Sequence, residues 1–170
     1  MFPDKHFNSI FEITPDFLRK ENISALILDI DNTLVTYGTA EPTSDVRAWI
    51  DTMRGAGIDV AIASNNKKPR VDLFCRSLDV FYTYKSAKPM PKCVKLACKS
   101  FGKKPCDVAV VGDQIFTDVL CAKFSGATAF HVTPLVSPES TFIKMKRILE
   151  KPILSAYKKR HPDEFKEDIQ

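Results

Sequence analysis

The sequence has no long apolar run. Residues 1–24 lack the 7–15-residue apolar stretch of a signal peptide. The longest apolar stretches, around residues 25–30 and 58–63, are too short to span a bilayer. We therefore expect a cytoplasmic protein that makes at most peripheral contact with the inner face of the membrane.

Cysteine and histidine patterns typical of metal sites or disulfide frameworks are also absent. The five cysteines form no C-x-x-C pair, their number is odd, and the three histidines lie far apart in the sequence. We interpret the cysteines as small buried side chains in a reducing compartment. This pattern argues against both a zinc site and a disulfide framework.

Charge of either sign is in little excess. The 25 basic and 21 acidic side chains give a net charge of +4, which identifies no partner, and no nucleic-acid recognition module accompanies the basic residues. We therefore expect no nucleic-acid partner. We expect residues 1–170 to form a single domain, with a core at about 22–135 and a C-terminal basic helical segment at about 138–160.

Short apolar runs alternate with stripes of helical spacing. The stripe formed by Val46, Trp49, Ile50 and Met53 is one example. The runs predict strands at residues 25–28, 58–63, 80–84, 108–111 and 128–132. This alternation predicts an α/β, three-layer Rossmann-like fold, in which a parallel five-stranded sheet carries helices on both faces.

Polar residues follow four of these predicted strands, where open α/β sheets bind ligands. In chain order they are Asp29 and Asp31, Ser64 and Asn65, Lys88, and Asp113 and Asp118. Each aspartate alone can be a turn or cap residue. Their recurrence at strand ends together with a lysine favours a site, because a hard divalent cation such as Mg²⁺ relieves the repulsion between clustered carboxylates.

The spacing of Asp29 and Asp31 favours phosphoryl transfer. Residues two apart on a strand lie on one side, roughly 7 Å from each other. One carboxyl group can attack phosphorus while the other protonates the leaving oxygen. The hydroxyl of Ser64 suits a phosphate oxygen, and Lys88 can neutralise developing negative charge.

These residues resemble the four motifs of the haloacid dehalogenase (HAD) superfamily of aspartate-nucleophile phosphatases. The motifs are D-x-D-x-T at residues 29–33, a strand-terminal Ser64, a lysine at Lys88, and an acidic pair at Asp113 and Asp118. A closer resemblance, over about residues 2–155, is to the YqeG-like family of the type IIIA branch. It includes Ile10-Phe-Glu-Ile-Thr-Pro, Asp31-Asn-Thr-Leu, Ser64-Asn-Asn, Lys88-Pro-Met and Gly112-Asp-Gln-Ile-Phe-Thr-Asp-Val. That family is similar to mitochondrial phosphatidylglycerophosphate phosphatases.

The resemblance implies a role for each residue. Asp29 is the expected nucleophile, and Asp31 the expected general acid and base. Ser64, Asn65 and Lys88 are expected to bind phosphate, and Lys88 also to assist catalysis by neutralising its charge.

The resemblance also implies a magnesium site. The expected ligands are Asp29, the main-chain carbonyl of Asp31, Asp113 and Asp118. Asp118 either binds the metal directly, acts through water, or orients the motif lysine. Lys85 and Lys92 are nearby alternatives for that lysine, but Lys-Pro before a helix start is the usual setting in the family.

The motifs leave no room for a cap domain. Asp31 and Ser64 are 33 residues apart, and Ser64 and Lys88 are 24 apart. An uncapped site favours a macromolecule or a lipid headgroup, and the resemblance to phosphatidylglycerophosphate phosphatases makes phosphatidylglycerophosphate the leading substrate. The alternatives are a phosphatase of a soluble sugar or nucleotide phosphate, and a non-catalytic binding or assembly factor with the same fold.

The C-terminal segment is basic and amphipathic. Its apolar side chains near one helical face are Phe142, Met145, Ile148 and Leu149, and its basic ones are Lys144, Lys146, Arg147, Lys151, Lys158, Lys159 and Arg160. Such a helix can lie on an anionic membrane surface. Alternatively, it packs on the sheet and its lysines form a solvated face.

Overall fold

The computed structural model of the chain describes residues 2–135 and 141–165, without the side chains of residues 141–144 and 146. Within this part, six parallel strands form a sheet in the order β1-β6-β5-β2-β3-β4. The strands are β1 (Lys5–Phe7), β2 (Ala25–Leu28), β3 (Asp59–Ala63), β4 (Phe81–Thr83), β5 (Val108–Gly112) and β6 (Thr128–Val132).

Six α-helices and four short helical turns connect and cover the strands. The helices are α1 (Pro15–Lys20), α2 (Ser44–Gly55), α3 (Lys68–Cys75), α4 (Lys92–Phe101), α5 (Leu120–Ser125) and α6 (Thr141–Arg160). The turns are a π-helical turn, Ile115–Val119, and three 3-10 turns, Ile10–Glu12, Pro105–Asp107 and Pro162–Glu164.

Each face of the sheet is buried under a helical layer. Along β2, Leu26 and Leu28 pack in one apolar cluster with α1, α2 and α3, whereas Ile27 packs in the other with α4 and α5. Successive side chains of a strand alternate between faces, so a strand covered on both sides is apolar throughout. The predicted three-layer α/β fold is therefore confirmed.

The helix boundaries follow local signals. The Thr43 side chain accepts a hydrogen bond from the Val46 backbone N–H and caps α2, whose predicted apolar stripe is buried. Gly126 adopts a left-handed conformation with φ of 74° and ends α5.

The predicted number of strands was one too low. The missed strand, β1, pairs in parallel with β6 at the edge of the sheet, before the predicted start of the core near residue 22. It has only three residues, and its central residue is a histidine, so no apolar run or alternation marks it. His6 is nevertheless buried.

The C-terminal segment is helical and packs through a face other than its apolar stripe. Glu150 and Tyr157 are buried, and Ile153 and Leu154 pack against the α4–α5 cluster. The predicted apolar stripe instead lies outward, with Met145, Ile148 and Leu149 each at least 60% exposed. Residues 138–140 of the predicted segment, and the side chains of Phe142, Lys144 and Lys146, lie outside the described residues. Among the described helices, none combines the length and apolarity needed to cross a membrane.

Candidate active site

Asp29 lies at the carboxyl edge of the sheet, directly after β2. Its backbone N–H donates to the carbonyl oxygen of Val111 at 3.0 Å, so the pairing of β2 with β5 continues through Asp29. This pairing brings Asp29 beside the end of β5, where Gly112 and Asp113 follow. The Asp29 side chain is largely buried.

Lys88 joins two of the predicted site carboxylates. Its Nζ lies 2.6 Å from Asp29 Oδ1 and 2.7 Å from Asp118 Oδ1. Burial opposes the charge of the ammonium, but the two carboxylates outweigh it and raise the pKa of Lys88 well above its ordinary value. Lys85 and Lys92 are exposed, so the geometry favours Lys88 as the motif lysine.

Asn65 holds the backbone on which Lys88 sits. Its side-chain Nδ2 donates to the Lys88 carbonyl oxygen at 3.1 Å, and its Oδ1 accepts from the Lys88 N–H at 2.9 Å. The sequence predicted Asn65 as a phosphate-binding residue. In the structure its carboxamide positions Lys88, which leaves the Asn65 backbone N–H as its candidate phosphate contact.

Asp118 reaches the site from the π-helical turn. Besides its ion pair with Lys88, it accepts hydrogen bonds through Oδ2 from the Gln114 N–H and the Thr117 hydroxyl, both at 3.2 Å. Its carboxyl group packs directly on Gly112, where an added Cβ would lie 2.2 Å from Asp118 Cγ. The glycine at the end of β5 is therefore needed for Asp118 to approach the strand.

Asp113, fully buried, is held from three sides. The Thr33 hydroxyl donates to its Oδ1 at 3.4 Å, and the guanidinium of Arg147 in α6 donates both to its Oδ2 and to its carbonyl oxygen. The third contact is with His131, whose Nε2 lies 3.2 Å from the same carbonyl oxygen. Arg147 thus brings the C-terminal helix into the site.

The His131 contact continues into a directional hydrogen-bond chain. A carbonyl oxygen only accepts, so His131 Nε2 donates to Asp113. In a neutral ring, His131 Nδ1 then accepts, and His6 Nδ1 donates to it at 2.9 Å. His6 Nε2 in turn accepts from the Thr133 hydroxyl at 3.4 Å. Burial keeps both rings neutral, lowering the pKa of His6 to about 4 and that of His131 to about 3.

Three of the predicted metal ligands form one cluster. Carboxylate oxygens of Asp29, Asp113 and Asp118 lie within 4.8 Å of one another. Burial, reinforced by the neighbouring carboxylates, raises the pKa of Asp29 to about 8. Burial likewise raises the pKa of Asp113 to about 6, against the opposing effect of Arg147. Buried oxygen ligands that hold protons more tightly than usual fit a hard divalent cation, whose charge would replace those protons.

Ser64 directly follows β3, at the edge of the sheet where the paired strand β2 also ends. It is buried, its N–H donates to Thr83 O at 3.1 Å, and its carbonyl oxygen accepts from the Ser86 N–H at 3.0 Å. Its hydroxyl oxygen accepts from the Asn66 N–H at 3.2 Å. The Ser64 hydroxyl is therefore fixed at the strand end.

The Asp31 side chain lies apart from the carboxylate cluster. Its Oδ1 accepts from Arg70 Nη2 at 3.1 Å, and its Oδ2 accepts from the Asn66 side chain. This placement leaves the main-chain carbonyl of Asp31 as its candidate contact with a metal. The carboxyl groups of Asp29 and Asp31 therefore lie in different environments, Asp29 beside Lys88 and Asp31 beside Arg70.

The site is not covered by an inserted domain. All residues between Asp31 and Lys88 are described, and they form a short loop, α2, β3, α3 and β4. In the loop, Tyr37 is exposed. The prediction that the chain has no cap domain is confirmed.

Three charged residues near the site were not predicted as part of it. Arg70 contacts Asp31, Arg147 contacts Asp113, and buried Glu150 accepts from the Phe116 N–H at 3.1 Å. Arg70 follows Pro69 in an ordinary helix start, which carries no sign of a site. Arg147 and Glu150 lie three residues apart, on one helical face, and an acidic residue within a basic helix was the available clue.

Comparison with known proteins agrees with this geometry. The model of a family described as haloacid dehalogenase-like hydrolase matches residues 9–126. The chain is 37% identical over 158 residues to the probable phosphatase YqeG of Bacillus subtilis (strain 168), and the match covers 93% of this chain and 92% of that protein.

Solved structures share the fold at low sequence identity. One is the cobalt-bound deoxy-D-mannose-octulosonate 8-phosphate phosphatase (YrbI) of Haemophilus influenzae, with a TM-score of 0.55, 19% identity, and coverage of 77% of this chain and 89% of that one. Another is an uncharacterized protein from Listeria monocytogenes serotype 4b, with a TM-score of 0.56, 13% identity, and coverage of 69% and 84%.

Proposed function

The chain belongs to the haloacid dehalogenase-like hydrolases and is a YqeG-like phosphatase, and we propose that it is a magnesium-dependent phosphomonoester hydrolase that forms an aspartyl-phosphate on Asp29. The observation that carries this proposal is the buried cluster of Asp29, Asp113 and Asp118 with Lys88 between two of its members. Mg²⁺ would be held by these carboxylates and the Asp31 carbonyl, and would supply charge neutralisation to the phosphoryl group.

In the first step, a carboxylate oxygen of Asp29 attacks phosphorus. A bond forms between Asp29 and phosphorus as the bond from phosphorus to the leaving oxygen breaks, and Asp31 gives its proton to that oxygen. Lys88 is placed to neutralise the charge that spreads over the phosphoryl oxygens. Ser64, through its hydroxyl, and Asn65, through its backbone N–H, would bind those oxygens.

In the second step, Asp31 takes a proton from water. The water oxygen attacks phosphorus, the bond to Asp29 breaks, and orthophosphate leaves with Asp29 restored as a carboxylate. Arg70 and Asn66 contact Asp31 and would orient it in both steps.

The proposed substrate is phosphatidylglycerophosphate. The open site admits a headgroup attached to a membrane, and three exposed apolar side chains on α6 lie on the helix that reaches Asp113. Exposed Lys151, Lys158 and Lys159 on the same helix would attract an anionic membrane surface. Peripheral membrane contact is part of this proposal.

The test is phosphate release from phosphatidylglycerophosphate in mixed micelles, with Mg²⁺ or EDTA, for the wild type and Asp29→Asn. We expect release that needs both Mg²⁺ and Asp29, because the amide cannot act as the nucleophile. Circular dichroism of Asp29→Asn checks that the fold persists.

Three outcomes would contradict the proposal in whole or in part. A fully active Asp29→Asn enzyme would reject the aspartyl-phosphate mechanism. Asp29-dependent release from p-nitrophenyl phosphate but not from the lipid would keep the mechanism and indicate a soluble substrate, such as a sugar or nucleotide phosphate. No phosphate release from either substrate would favour a non-catalytic binding factor.

A further inference from the structure

Two charged side chains of the C-terminal helix α6 contact the loop of residues 113–118, which carries the acidic motif. Arg147 lies largely buried against Asp113, contacting both its Oδ2 and its carbonyl oxygen. Glu150, one turn further along, is fully buried and accepts from the Phe116 N–H in the π-helical turn. The same carboxylate lies 3.5 Å from Arg147.

These contacts fix both ends of the loop that carries the acidic motif. Arg147 holds Asp113 at its start, and Glu150 holds the backbone two residues before Asp118. Burying two opposite charges costs free energy unless both find partners, and here each is matched to the loop as well as to the other. The contacts therefore constrain the loop and do more than attach the helix.

The Arg147 contact also determines which oxygen of Asp113 is open to a cation. Two parallel N–H donors of a guanidinium give a directional contact, and one of them is aimed at Oδ2. Oδ1 accepts the Thr33 hydroxyl at 3.4 Å and has a second lone pair for a cation, whereas two-oxygen binding would require Arg147 to move. Carboxylates that bind through both oxygens are common around Ca²⁺, whereas Mg²⁺ demands near-octahedral geometry with single oxygens.

We propose that Arg147 is a positioning residue that makes Asp113 a one-oxygen metal ligand and thereby selects Mg²⁺ against Ca²⁺, with Glu150 as its anchor. The inference rests on the proposed metal-dependent function. It assigns to the C-terminal helix, beyond the residues matched by the family model, a part in cation selectivity.

The experiment measures Mg²⁺ and Ca²⁺ binding to the EDTA-stripped full chain by isothermal titration calorimetry. In Arg147→Met, we expect the ratio of Ca²⁺ to Mg²⁺ affinity to rise about tenfold, the lower end of effects seen when residues supporting metal ligands are removed. The ratio is the decisive quantity, because removing a positive charge strengthens the binding of both ions alike.

Arg147→Lys separates geometry from charge. Lysine keeps the positive charge but lacks the fork of donors, so we expect the ratio to rise in this variant as well. The matched control is Arg19→Met, which removes an exposed arginine paired with Asp16 on α1, and its ratio should stay at the wild-type value. Thermal unfolding in EDTA reports whether each variant is folded. If Arg147→Met does not fold, Glu150→Gln replaces it, and we expect the affinity ratio to shift in the same direction.

An unchanged ratio in folded Arg147→Met and Arg147→Lys would overturn the proposal, even if both affinities rise together. A wild type that binds neither cation would overturn the proposed metal site itself, and this inference with it. A wild type that binds both, with variants that lower only the melting temperature, would assign Arg147 to structure alone and leave the proposed function intact.

Discussion

The charges around Asp29 do not cancel by themselves. Asp29, Asp113 and Asp118 contribute three carboxylates, and the cations in contact with them are Lys88 and Arg147. Burial raises the pKa of Asp29 to about 8 against the opposing effect of Lys88, and the neighbouring carboxylates add to this rise. Without metal, Asp29 therefore keeps a proton at neutral pH. Protons and a divalent cation therefore compete for the same oxygens.

This competition predicts how metal-free stability depends on pH. Between about pH 4 and 8 the folded protein keeps a proton on Asp29 that the unfolded chain releases, so stability falls as pH rises through this range. Asp29→Asn removes the effect. In EDTA, we expect the free energy of unfolding of Asp29→Asn to rise relative to that of the wild type between pH 5 and pH 8. The expected relative change is on the order of a few kcal/mol.

Urea denaturation at both pH values measures the difference. The buried histidines His6 and His131 have lowered pKa values and destabilise the protein below about pH 6.5, but they do so in both proteins and cancel. Mg²⁺ should stabilise the wild type more at pH 8 than at pH 5. A gap between variant and wild type that does not change with pH would contradict this account of Asp29.

At the scale of elements, the π-helical turn packs closely on the end of β5 because Gly112 has no side chain. Gly112 leaves the space that the Asp118 carboxyl group fills. Gly112→Ala must displace Asp118 or the strand end. We expect it to cost about 1–3 kcal/mol of stability as an overpacked site, and to lower kcat/KM about 100-fold through the misplaced carboxylate.

Gly55→Ala is the control for this substitution. Gly55 lies at the end of α2 with no atom within 4 Å of an added Cβ, so alanine there should leave activity unchanged and stabilise the helix slightly. Urea denaturation and steady-state kinetics on p-nitrophenyl phosphate measure both variants. Equal activity in the two would show that Asp118 does not need its place beside Gly112.

The same scale shows what the sequence could and could not predict. The carboxylates and Lys88 were predictable because each follows a strand, and parallel strands end at a shared edge. Strand β1 was not, because its pairing with β6 comes from tertiary contacts that His6 does not signal. The packing face of helix α6 could not be predicted, because its apolar stripe fitted either a membrane surface or the sheet. The structure packs α6 through Glu150, Tyr157 and neighbouring side chains, whereas Met145, Ile148 and Leu149 are exposed.

At the scale of the whole molecule, the outward apolar face of α6 gives the proposed membrane contact a direct test. We expect replacement of Met145, Ile148 and Leu149 by serine to reduce cosedimentation with vesicles containing anionic lipid, because apolar burial and lysine attraction both contribute to interfacial binding. High salt should weaken vesicle binding by the wild-type protein, because salt screens the attraction of its basic residues to anionic lipid, about 1 kcal/mol for each residue near the membrane surface.

The control replaces Leu73 and Leu96, which are exposed on α3 and α4, by serine. Those substitutions should leave vesicle binding at the wild-type level. Equal binding by both sets of variants would argue against α6 as the contact, and wild-type protein that stays in the supernatant would argue against peripheral membrane contact altogether.

The contact between Arg147 of α6 and Asp113 can form only late in translation, because α6 is synthesised after all four motifs. Arg147 is added to the growing chain 29 residues after Asp118, the last residue of the fourth motif, which at about 5–20 residues per second is a delay of roughly 1.5–6 s during translation. For that interval the nascent protein holds all four motifs but not the arginine that orients one of them. A chain that ends before α6 would therefore carry every carboxylate of the proposed metal site without the arginine that contacts Asp113.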